Sequence, residues 1–186
     1  MKFLFNRFTQ LSVYPWIVIA LSASFLFYKY ILQVSPNVMS TELMQAFQLD
    51  GAGLGYLAAC FFFAYFVTQL FVGVALDRFS LRHLAGFALL VSAVGTLLFA
   101  KTNVLGQAAV YRGMMGFGAA FATVSYLKAA SVWFKPERFA FVSGLLASAA
   151  MLGAVFGEAP LAYCVNHFGW REAMWFGLLA KPQSSP

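Results

Sequence analysis

The sequence predicts an all-α, polytopic transmembrane helical bundle, and three observations carry that prediction. The first is composition: of 186 residues, 62% are hydrophobic and 10% charged, whereas a soluble domain is about half apolar and about a quarter charged. The second is run length. A helix crossing about 30 Å of hydrocarbon needs roughly 20 apolar residues, and no charged side chain occurs between Asp50 and Asp77. The third is pattern: the runs are continuous rather than alternating. Lipid offers backbone amides no water, so a run without the alternation of a barrel strand must close its hydrogen bonds as a helix.

Taken in order, the first span covers residues 13–34, broken only by Lys29 and preceded by Lys2 and Arg7. A signal peptide is the rival reading of that stretch, but its apolar run is longer than a usual signal core and cleavage would leave the later spans embedded. The second span is residues 52–76. The third, residues 84–100, is closed by Lys101, Thr102 and Asn103, and the fourth, residues 105–127, contains Arg112 as its one charge. The fifth, residues 139–165, holds Glu158. A sixth begins at residues 173–180 and is expected to be truncated, because the polar stretch from Lys181 to Pro186 follows after roughly half a crossing.

Orientation follows from the basic residues of the short loops. With the amino terminus in the cytoplasm, Lys2, Arg7, Arg78, Arg82, Lys128, Lys135 and Arg138 lie inside, against Lys101 and Arg171 outside. The net charge of +6 is thereby accounted for by the lipid bilayer, and nucleic acid is not an expected partner. Cys60 and Cys164 fall within or beside spans and read as packing residues rather than a disulfide.

Two motifs carry a resemblance. Gly73, Asp77, Arg78 and Arg82 stand at the spacing G-x-x-x-D-R-x-G-R-R, with Ser80 and Leu81 departing from it. Arg112, Gly116, Gly118 and Ala120 stand at the spacing R-x-x-x-G-x-G-x-A. Together with the turn from Phe168 to Arg171, these resemble the amino-terminal half of a major facilitator superfamily (MFS) transporter over residues 13–179. The resemblance implies two six-helix bundles around a central path, with a small solute held near the midplane. It also implies that Gly73 allows close helix packing and that Asp77 joins a charge network latching the two halves. Read without the resemblance, Gly113, Gly116, Gly118, Gly153 and Gly157 are helix-packing residues of a kind found in many membrane proteins.

Three ionisable residues lie inside spans, where each costs about 2.5 to 3.5 kcal/mol at a helix centre and needs a partner or a wet cavity. Counted from the span ends, Lys29, Arg112 and Glu158 all fall roughly 8 to 11 Å below the outer surface. Spans four and five are joined by a short loop, so Arg112 and Glu158 are expected to pair. Organic-anion and organophosphate branches of the family carry a basic residue in helix 1, so Lys29 and Arg112 are substrate-path candidates for an anion; the alternative for Lys29 is snorkelling to the headgroups. Glu158 is the candidate carrier if transport is a proton symport. It also replaces the proline of the G-x-x-x-G-P element of drug antiporters, which argues against that branch.

Enzyme chemistry finds no support, and no catalytic residue is expected. His83 and His167 have no carboxylate cluster beside them, the i, i+3 pair of Cys164 and His167 lacks a third metal ligand, and no phosphate loop or cofactor is expected. The expected product is half a transporter, inactive alone and completed by a missing carboxyl-terminal half or a partner chain. A multi-pass membrane protein that does not transport is the alternative. The short loops and the resemblance point to a bacterial inner membrane.

Overall fold

The computed structural model describes residues 14–176. They form seven helices and no strand: α1 (Tyr14–Val38), α2 (Ser40–Phe47), α3 (Gly51–Arg78), α4 (Leu81–Lys101), α5 (Leu105–Trp133), α6 (Pro136–Phe168) and α7 (Trp170–Phe176). Among them α1, α3, α4 and α6 are long and apolar enough to cross a membrane. The helix α5 is as long, but its run of Gly and Ala with Arg112 and Lys128 makes it less apolar. That composition suits its place, because α5 runs through the middle of the bundle. Against it lie α3, α4 and α1, while α6 packs chiefly on α1 and α7 bridges α6 and α4. Residues 177–180 of the expected sixth span lie outside the described residues.

Helix ends follow local chemistry. The Asp50 carboxylate caps α3, accepting from the Gly53 amide at 2.8 Å. Pro136 opens α6 in the first turn, where its missing amide costs nothing. Gly169, at φ 83°, turns the chain from α6 into α7. The helix α2 stands in a stretch left without structure in the sequence reading. Met39, Leu43 and Phe47 recur at every fourth position and face inward, with the Phe47 ring 6.2 Å from Phe99 and 6.0 Å from Trp170.

Candidate functional site

The site is assembled by glycines. A side chain at Gly116 of α5 would collide with the Phe61 backbone of α3, and one at Gly118 would collide with Ser92 and the Ala88 carbonyl of α4. Three helices therefore meet at backbone distance around one turn of α5. On the other flank a Cβ at Gly153 of α6 would lie 2.8 Å from the Phe27 oxygen of α1, and one at Gly157 would lie 3.1 Å from the Ile31 Cα. These two contacts hold the stretch of α1 that carries Lys29.

Close approach at Gly116 lays the Phe61 ring against Arg112, one turn earlier on α5, with the guanidinium carbon 4.8 Å from the ring centroid. Arg112 is 1% exposed. Its Nη1 donates to the Leu32 carbonyl of α1 at 3.1 Å and contacts the Met115 sulfur at 3.6 Å. Its Nε and Nη2, which share the other edge of the guanidinium, have no hydrogen-bond partner. Lys29, 5% exposed, lies nearly one turn before Leu32 on α1. Its Nζ sits 3.8 Å from the Tyr30 centroid and 5.1 Å from that of Tyr65. The Lys29 amine is thus turned into the bundle, towards these two rings.

Tyr65 and Phe61 are one turn apart on α3, stacked 6.4 Å apart at 10°. Each cation therefore lies against one ring of this pair, Lys29 being held from its other side, and more closely, by Tyr30. Neither has a carboxylate within ion-pair distance; among the described residues the one ion pair is Lys128 to Asp77, at 2.6 Å. Beside the site, the Tyr28 hydroxyl is 3.0 Å from Thr96 Oγ1, which donates to the Ser92 carbonyl at 2.8 Å. That link ties α1 to α4.

The expected pairing of Arg112 with Glu158 does not form. Glu158 is exposed, and the reason is azimuth: α6 presents Gly153 and Gly157 to α1, and the next residue points about 100° away from Gly157 around the helix. The loop motif is divided as well. Asp77 meets Lys128, at the far end of α5 from Arg112, while Arg78 and Arg82 are exposed. Gly73 makes no close approach: a Cβ there would meet nothing within 4 Å, so its expected packing role is not found within this bundle. Cys60 and Cys164 are both unbridged, and the His167 ring is spent on Tyr163, stacked at 4.0 Å and bonded to its carbonyl.

Sequence reasoning missed Phe61, Tyr65, Tyr30 and Lys128. The signal for Phe61 and Tyr65 was their i, i+4 spacing, hidden in a run where Phe62, Phe63 and Phe66 point outward.

Comparison with known proteins agrees with this architecture. The Major Facilitator Superfamily model matches residues 5–180. An uncharacterized transporter, YybO of Bacillus subtilis, is 27% identical over 85% of this chain and 36% of its own length. Probable anion transporter 4 of Oryza sativa, a chloroplast protein, is 26% identical over 83% of this chain and 28% of its own. Sodium-dependent phosphate transport protein 1 of Arabidopsis thaliana, also chloroplastic, is 24% identical over 92% of this chain and 36% of its own. The chain spans about a third of the length of these relatives, in each case with most of its own residues aligned. With its helical bundle, its two motifs and a family match over nearly all its residues, the chain belongs to the Major Facilitator Superfamily.

Proposed function

We propose that this chain is the anion-recognising half of a membrane transporter that moves a small anionic solute by alternating access. The observation that carries the proposal is the pair of buried cations, Lys29 and Arg112, with no carboxylate on either among the described residues. A buried charge without a counter-ion is costly, and an incoming anion removes that cost on binding. The unspent Nε–Nη2 edge of Arg112 suits an anion that offers two oxygens together, since a guanidinium fork binds such groups bidentately. Two of the relatives are a probable anion transporter and a sodium-dependent phosphate transport protein, which supports the same reading.

Further parts belong to this proposal. Alternation requires a second bundle, supplied by a longer form of the chain or by a partner chain. The distribution of Lys and Arg supports a cytoplasmic amino terminus, and the short loops with the family likeness support a bacterial inner membrane. Glu158, exposed on α6 between Val155 and Ala159, is the proton site of a symport in this reading. Vesicles carrying this chain with a second half should take up phosphate or succinate, and Lys29→Met or Arg112→Met should reduce uptake to background. Uptake unchanged in both variants would refute the proposal.

A further inference from the structure

Elsewhere in the bundle, two cations near the helix ends have oxygen partners. Lys128 is held by the Asp77 carboxylate at 2.6 Å, and Arg171, although it also lies over the Trp170 ring at 4.3 Å, has its guanidinium taken up by the Ala100 and Thr102 carbonyls and the Asn103 side chain. At the site the arrangement differs. Arg112 rests on Phe61, and Lys29 lies between Tyr30 of its own helix, at 3.8 Å, and Tyr65, at 5.1 Å; Phe61 and Tyr65 are stacked almost parallel at consecutive turns of α3.

We propose that the stacked Phe61–Tyr65 pair is the positioning element of the anion site, standing where a counter-ion carboxylate would otherwise be. The inference rests on the anion reading above and names the residues that make the site work. A carboxylate bonded to either cation would compete with the solute and would have to be displaced. An aromatic face attracts a cation through its quadrupole, more weakly than a full negative charge does, and has no oxygen to surrender. The rings therefore hold both heads in register while their positive charge stays available. The pair is itself fixed in place, because Gly116 seats the Phe61 backbone directly on α5. Phe61 is fully buried, so its ring has no freedom to leave the guanidinium.

The test uses the whole chain in lipid nanodiscs, with succinate as the probe and its dissociation constant read from the concentration-dependent rise in unfolding temperature. Phe61 is replaced by phenylalanines carrying one, two, three and five ring fluorines, which drain the quadrupole with little change of shape. Affinity should fall stepwise along the series, by about 3- to 30-fold at its end. Tyr65→Phe, which keeps the ring, should bind within about twofold of the unsubstituted chain, and Tyr65→Leu should lose about as much as the fluorinated series. If Tyr65→Leu does not fold, difluorotyrosine at position 65 gives the same contrast. A flat series at both positions, with Lys29→Met still losing succinate, overturns the aromatic role and leaves the anion site standing. No saturable binding of succinate or phosphate to the unsubstituted chain would overturn the anion reading, and the inference with it.

Discussion

Two helices of nearly equal length, α3 and α5, do opposite work. Of 29 residues in α5, 14 are buried, against four of 28 in α3. Their sequences show why. The middle of α5 reads Gly116, Phe117, Gly118, Ala119, Ala120, so two neighbours, α3 and α4, reach its backbone, whereas α3 sends Phe62, Phe63, Phe66, Leu70 and Phe71 outward. Helix association in lipid gains from backbone contact rather than from burying oil in oil. The more apolar helix is therefore the peripheral one, and the less apolar helix is the hub. Function follows the same division: α5 carries Arg112, and α3 contributes the narrow inward face, Phe61 and Tyr65, against which the cations rest.

The sharpest way to break this comparison is to place one substitution on each helix. Gly116→Ala forces the Phe61 backbone away from α5 and should cost about 3 kcal/mol or more. Gly73→Ala meets nothing and should instead stabilise α3 by about 0.5 to 1 kcal/mol, because alanine is the better helix former. Reversible unfolding in mixed micelles reads both, and equal effects would remove the distinction between hub and periphery. A smaller effect is expected at the lateral tie: Tyr28→Phe deletes the contact with Thr96 and should cost about 1 kcal/mol. Smaller again is Asp77→Asn. Its ion pair with Lys128 is largely exposed, 70% on the Asp side and 37% on the Lys side, so about 0.5 kcal/mol or less is expected, and added salt should shrink it. Phe63→Leu, on the outward face of α3, should leave the stability of this chain within about 0.5 kcal/mol of its starting value.

Much of the fold was legible because lipid imposes length and continuity on a spanning helix, and within the described residues each of the first five expected spans falls on a helix. What escaped was short or azimuthal. The helix α2 is only eight residues long, and its Met39, Leu43, Phe47 spacing is too brief to stand out. Depth along a helix comes directly from counting residues, so Lys29, Arg112 and Glu158 were assigned to one layer. Direction around the helix does not come from counting. It is set by whichever face packs, and for α6 that face is Gly153 and Gly157, both visible in the sequence and sufficient to turn Glu158 away from Arg112. Aromatic residues are the hardest case, since Phe61 at a helix crossing and Phe62 facing outward are the same chemical letter.

The central claim is that two buried cations without counter-ions form an anion site. Equilibrium dialysis of labelled succinate against the chain in nanodiscs tests it most directly, with uncharged mannitol as the comparison. The account predicts one saturable succinate per chain, no saturable mannitol, and loss of succinate binding in Arg112→Gln. Succinate and mannitol retained alike, or succinate retained by Arg112→Gln, would contradict it.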